Sequence, residues 1–259
     1  MSLRNGLLAT LGLCALSLGC NVDLPGKPDE ADRYKRPVDV LDFDTLYSEN
    51  CSGCHGADGR FGPARPLNDP LFLALAGPGA IVRAATTGKA GTPMPAFALS
   101  EGGVLSDAQI KAIADGIIAR WSDPKAAGSN LPPYSEKDSI AAGFAPGSDV
   151  AGAEDFRMHC GPCHGATGAG AKEAGSVVNS SYLALSSDQS LRNTVIAGRL
   201  DLGMPNFREY ETAGQRVALS PQQISNIVAW LASQRAEFPG QTYPEGTTTP
   251  PMPAPKEKL

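Results

Sequence analysis

Two five-residue windows, Cys51-Ser52-Gly53-Cys54-His55 and Cys160-Gly161-Pro162-Cys163-His164, constrain this chain more than anything else in it. They hold four of its six cysteines and two of its three histidines, and they stand 109 residues apart in a chain of 259. Two cysteines spaced by two residues at a helix end can reach the two vinyl positions on one edge of a porphyrin, and the histidine that follows then aims its imidazole at the iron. The spacing is that of covalent c-type haem attachment, once per window. A zinc-binding or redox Cys-x-x-Cys fits poorly, because histidine fills the fifth position both times and no second cysteine pair follows. A haem also replaces side-chain core, which suits a chain with 6% aromatic residues, 29 glycines and 22 prolines.

The windows belong to two copies of one unit. Met94 pairs with Met204 at an offset of 110, and Leu105 with Leu219 at 114. Between these anchors Leu73-Ala74-Leu75 matches Leu183-Ala184-Leu185, Arg83 matches Arg192, and Gly88-Lys89 matches Gly198-Arg199. The order never changes, so this is a tandem duplication rather than a solenoid. The growing offset gives copy two a longer polar loop after its methionine, Arg208 to Arg216.

Each copy opens with a short helix that ends at its window, with Tyr47 or Phe156 one turn before the first cysteine. Each closes with a helix that starts at a capping box, Ser106-Asp107-Ala108-Gln109 or Ser220-Pro221-Gln222-Gln223, flanked by the staple residues Leu105 and Ile110 or Leu219 and Ile224. Apolar residues then recur at helical spacing: Ile110, Ile113, Ile117, Ile118 and Trp121 in one copy, Ile224, Ile227, Val228 and Leu231 in the other. These stripes are core, and the last helix of each copy is expected to cross the first near its aromatic residue. The expected fold is all-α, with one domain over 40–121 and a second over 151–238. The connection 122–150 carries Pro124, Pro132, Pro133 and Pro146 and reads as a linker, while 239–259 is a Pro-rich, disordered tail.

From Leu41 to Trp121 and from Ala151 to Glu237 these residues resemble the class I cytochromes c, arranged as a dihaem tandem. The resemblance implies two small helical folds, each around one haem c, held covalently through Cys51 and Cys54 or Cys160 and Cys163. His55 and His164 would be axial iron ligands. For the sixth position, His159 and Met158 precede Cys160 on the proximal side, and His159 is expected as an exposed helix residue. Met94 and Met204 stand 39 and 40 residues after their histidines, off any periodic helix, each with Pro next and Phe three residues on. That matches the distal ligand loop of the family, and His/Met ligation raises a reduction potential because the soft thioether favours ferrous iron. The family also has a carbonyl in a Pro-containing loop that accepts the other imidazole N–H. Pro63 and Pro66 suit copy one. Copy two has no proline between His164 and Met204, so a carbonyl near Gly175 or Ser176 would have to serve. Lys89 and Arg199 are candidates for haem propionates or for solvent.

Residues 1–19 read as a signal peptide, with Arg4 ahead of an apolar stretch, Leu7 to Leu18, that is too short to span a bilayer. Cys20 after Leu18-Gly19 resembles the lipobox of bacterial lipoproteins, although Ser17 stands where an aliphatic residue is usual. Cleavage nearby or an uncleaved anchor are the alternatives, and Cys14 reads as an inert hydrophobe. With 20–39 as a polar tether, the expectation is an exported protein on the periplasmic side of a bacterial membrane, lipid-anchored at Cys20. A net charge of −5 excludes nucleic acid as a partner. If both irons are six-coordinate, neither offers a position to substrate. The expected role is then an electron carrier rather than an enzyme, with redox proteins or subunits of a respiratory complex as partners. A dihaem peroxidase or a gas-binding module would need an open iron, and no spare histidine exists for a polar distal pocket.

Overall fold

A computed structural model describes residues 29, 33–128, 130–212 and 215–236. The expected signal peptide, the anchor residue Cys20, most of the tether and the tail beyond residue 236 lie outside the described residues. The chain divides after Asp39 into two compact bodies. In the first, Pro37–Asp39 is a 3-10 turn, and the Arg36 guanidinium donates to the Asp39 carboxylate at 2.7 and 2.8 Å.

The second body is helical and contains both copies. Copy one comprises α1 (Phe43–Asn50), α2 (Ser52–His55), α3 (Pro70–Thr87) and α4 (Asp107–Trp121). After α5 (Glu136–Ala141) in the connection, copy two comprises α6 (Asp149–His159), α7 (Gly161–His164), α8 (Ser180–Ala184), α9 (Asp188–Ala197) and α10 (Pro221–Ser233). Both capping boxes form: Ser106 Oγ accepts from the Gln109 N–H while Gln109 Oε1 accepts from the Ser106 N–H, and Ser220 and Gln223 repeat the exchange. Within α3, Gly77 has φ 68° and ψ 164° and breaks the helix before Pro78. Copy two breaks at the matching place, where Ser187 caps α9. Gly77 and Ser187 thus do one job, with Pro78 at the first helical position, where its missing N–H has no bond to lose.

In each copy the last helix crosses the first at its aromatic residue. Trp121 meets Tyr47 edge-on with ring centroids 5.2 Å apart, and Trp230 lies 4.2 Å from Phe156. Glycine permits the close approach. A Cβ on Gly116 would fall 2.1 Å from the Phe43 ring, and one on Gly152 would fall 2.0 Å from the Asn226 carbonyl oxygen. The apolar stripes close around these crossings, with Ile110, Ile113 and Ile117 buried in one copy and Ile224, Ile227 and Leu231 in the other.

The connection does not run free. Ser135 and Asp138 cap α5. Arg192, buried on α9, then grips the segment by donating to the Pro133 carbonyl at 3.1 and 3.2 Å, to Glu136 at 3.0 Å and to Ser225 on α10 at 2.9 Å. The loop expected after Met204 contains a two-stranded antiparallel hairpin, β1 (Tyr210–Thr212) with β2 (Gln215–Val217), in the register Tyr210↔Val217. Tyr210 and Phe207 point inward and are buried, which anchors this otherwise polar stretch.

Candidate functional site

Each window is one helical turn added to the end of a longer helix. The Cys51 N–H donates to the Tyr47 carbonyl at 2.9 Å and the Cys160 N–H to the Phe156 carbonyl at 2.8 Å, so the aromatic residue that packs against the last helix also sets the first cysteine. His55 and His164 then donate their backbone N–H to the carbonyls of Cys51 and Cys160 at 3.0 and 2.9 Å. None of the four cysteines is in a disulfide; Cys54 and Cys163 are exposed, Cys51 half-buried and Cys160 buried. Burial, and secondarily the neighbouring thiol, pushes Cys51 up to about 11 and Cys160 up to about 12. Among the described residues no three His, Cys, Asp or Glu side chains gather around a common point that could hold a metal ion.

Both window histidines are oriented alike. His55 Nδ1 lies 2.7 Å from the Arg65 carbonyl oxygen, and His164 Nδ1 lies 3.0 Å from that of Gly175. A carbonyl can only accept, so Nδ1 carries the proton and the lone pair of a neutral ring sits on Nε2. Burial lowers the His55 pKa below its ordinary value; the Arg65 carbonyl opposes that shift and the Lys89 ammonium adds a smaller push in the same direction. The acceptor in copy one, Arg65, lies between Pro63 and Pro66. In copy two it is Gly175, and a proline is not needed there because Ala171 N–H closes the loop on the Ala174 carbonyl at 2.9 Å, and Val177 N–H on that of Gly168 at 2.9 Å.

The two methionines sit in matching turns. Met94 follows Gly88, and the Lys89 N–H donates to the Met94 carbonyl at 3.0 Å. Arg199 and Met204 exchange a pair of backbone bonds at 3.1 and 3.0 Å. Gly88 and Gly198 have φ values of 68° and 72°, and a Cβ there would lie 2.7 Å from the Met94 carbonyl oxygen or 2.6 Å from that of Met204. Both side chains are half-buried. Lys89 ties the first turn to its imidazole, since its charge acts on His55 and its backbone holds Met94. In copy two, Tyr210 lies close to the window cysteines. Its phenol is pushed up by burial and then by the Cys160 and Cys163 sulfurs, and its hydroxyl donates to the Val195 carbonyl at 3.3 Å.

Two family models match the chain. One, described as cytochrome c oxidase, cbb3-type, subunit III, covers residues 39–115, and the other, described as cytochrome c, covers residues 150–235. The chain is a tandem of two c-type cytochrome domains. Two such domains carry two covalently bound haem c groups, and they make the protein an electron carrier. No curated protein matches it. Among solved structures, a chain of the Kuenenia stuttgartiensis reducing HAO-like protein complex Kustc0457/Kustc0458 is 16% identical, over 74% of this chain and 95% of that one, with a TM-score of 0.43.

The side chains of this tandem cytochrome fit haem in three respects. None of the four cysteines is in a disulfide, and each imidazole offers Nε2. In addition Arg65 Nε is buried with no hydrogen-bond partner, beside the loop that holds His55. A buried N–H without an acceptor costs about 1–3 kcal/mol, and a haem brings two carboxylates that could accept from it. Arg199, a candidate for solvent or propionate, is instead paired with Asp201 at 2.9 Å and mostly buried.

One expectation is corrected. His159 is not an exposed helix residue but is 7% exposed, with Nε2 3.0 Å from Gln223 Nε2 on α10. It shares a helix face with Gly152 and Phe156, which press against that helix, so its position follows from the packing of α6 on α10. Met158, beside it, points outward and is 40% exposed. The residue that sequence reasoning missed altogether is Arg65. The available signal is a charged residue held between two prolines.

Proposed function

We propose that His55 and Met94 ligate one haem iron and His164 and Met204 the other, with Cys51, Cys54, Cys160 and Cys163 as the thioether attachments. On this reading the protein carries single electrons between respiratory redox partners. The observation that carries it is the repeated geometry of the two imidazoles: Nδ1 is committed to a backbone carbonyl in both copies, and Nε2 is left for iron. Haem, when bound, supplies a one-electron ferric/ferrous couple, and a thioether opposite imidazole raises its potential. The protein's share is to fix both axial side chains on backbone that is itself hydrogen-bonded, so that little rearranges when the electron arrives. Export and a lipid anchor at Cys20 belong to this reading and rest on the sequence alone.

A second reading is favoured by one finding. The description of the family model over residues 39–115 is that of an oxidase subunit, which supports a role as the cytochrome subunit of a larger respiratory complex rather than a free carrier. Co-purification after mild detergent extraction separates the two, since a single free species would count against a permanent subunit.

The ligand assignment is tested by Met94→Ala and Met204→Ala. Each should abolish one methionine-to-iron charge-transfer band and open one reduced haem to carbon monoxide. Retention of both bands in either variant would overturn the assignment.

A further inference from the structure

Arg65 has two roles that separate cleanly. Its carbonyl holds His55, and Gly175 does the same for His164 with no side chain at all. The guanidinium is therefore not needed to fix an imidazole. It is nonetheless mostly buried, 14% exposed, and it reaches into the other domain, donating to the Gly198 carbonyl at 3.1 and 3.3 Å and to the Asn193 carbonyl at 3.0 Å. Phe72 lies under it at 4.7 Å and the Asp69 carboxylate at 3.7 Å, so its direction is set from domain one.

The segment it grips leads straight to Met204. Gly198 precedes Arg199, whose N–H donates to the Met204 carbonyl and whose carbonyl accepts from the Met204 N–H. Three consecutive hydrogen bonds therefore run from the imidazole of site one to the methionine of site two: His55 to Arg65, Arg65 to Gly198, and Arg199 to Met204. Neighbouring contacts reinforce the path. The Arg199 guanidinium, and to a lesser degree the Phe61 backbone N–H from domain one, hold the Asp201 carboxyl below the usual carboxylate range.

We propose that Arg65 is a positioning residue that couples the two haem sites, fixing the methionine turn of domain two against the histidine loop of domain one. This rests on the ligand assignment above. Its consequence is that a change in domain one is read at the iron of domain two.

The test uses the full-length holoprotein in a Met94→Ala background, where the only methionine-to-iron band left is that of domain two. Arg65→Lys keeps the charge and the stem but not the forked reach to two carbonyls. It should weaken that band several-fold, while the same change in the parent chain leaves the band of domain one in place. Arg65→Met should also lower the reduction potential of domain one, because removing a nearby cation favours the ferric state, and Lys should restore that potential but not the band of domain two. If Arg65→Lys only lowers the melting temperature and leaves band and potentials unchanged, Arg65 is a structural clamp and the inference is overturned. Should Arg65→Lys not accumulate as holoprotein, Asp69→Asn gives the same readout. Asn still accepts from the Phe72 N–H that Asp69 now caps, while the carboxylate beside the guanidinium is lost. Two bands surviving in Met94→Ala alone would instead be a failure of the ligand assignment.

Discussion

Two glycines in one turn separate what backbone conformation contributes at Met204 from what close packing contributes. Gly198 has φ 72° with ψ −165°, a region open essentially to glycine, and a Cβ there would sit 2.4 Å from the Pro205 carbonyl oxygen and 2.6 Å from that of Met204. Gly203, next to the methionine, has φ 82° with ψ 5°, and a Cβ there would meet nothing within 4 Å. Gly203→Ala should therefore cost only the left-handed penalty, about 1–2 kcal/mol. Gly198→Ala pays strain of about 1–3 kcal/mol and adds an overpacking cost of about 1–3 kcal/mol, because backbone oxygens cannot swing aside as a side chain can. The difference between the two variants should be about 3 kcal/mol, or more than 1 M in urea midpoint at an m-value of about 2 kcal/mol/M. Only Gly198→Ala should also displace Met204, read as loss of the methionine-to-iron band of domain two. Equal midpoints for the two variants, with that band intact in both, would refute the argument that Gly198 is the seat of the methionine turn.

Two further outcomes follow from buried groups away from the haem ligands. Arg192→Met strands Glu136 and Ser225 and releases the Pro133 carbonyl, so it should destabilise the second domain by about 1.5–3 kcal/mol, measured by denaturant unfolding; a change within about 0.5 kcal/mol would show that the connection is not held by this side chain. His159 gives a pH dependence. The Gln223 amide can only donate, so His159 Nε2 accepts and the ring must be neutral, and burial lowers its pKa below the ordinary 6.5. The unfolded chain then takes up the proton first as pH falls, so the contribution is complete above pH 6.5 and is lost as pH drops through the lowered folded value. His159→Asn should flatten that part of the stability profile, and an unchanged slope would count against it.

Much of the site was legible because its determinants are local. The cysteine spacing, both capping boxes and the two Met-Pro turns each occupy a few consecutive residues, and even the Gly175 carbonyl could be placed by counting from His164. What escaped was set by contacts between distant segments. Arg83 and Arg192 align in the repeat, yet Arg83 is exposed and Arg192 is 1% exposed, because only the second has Pro133 and Glu136 folded over it. The hairpin has strands of three residues, too short to show an alternating pattern. His159 closes a face marked by Gly152 and Phe156, but that face is visible only once α10 is known to lie against it.

The places where the copies differ explain how two small domains become one body. Positions shared by both copies, the windows, the imidazole acceptors and the glycines before the methionines, serve the haem sites. Side chains that one copy lacks or leaves exposed make the joins. Arg65, opposite Gly175 in the repeat, grips the Asn193 and Gly198 carbonyls; Arg208, in the loop found only in copy two, donates to the Ala126 and Ala127 carbonyls; and Arg192 holds the connection. Arginine suits this work because its fork satisfies several carbonyls at once and its charge is retained on partial burial. Domains of about 80 residues are marginal on their own core, and here part of each interior is given to cofactor, so such joins supply stability where side-chain core does not. One of these joins, Arg65, reaches the turn before Met204. A pair of haem domains gains from a fixed separation, and the segment gripped by Arg65 leads directly to the Met204 turn, which on the proposed ligand assignment serves the second iron.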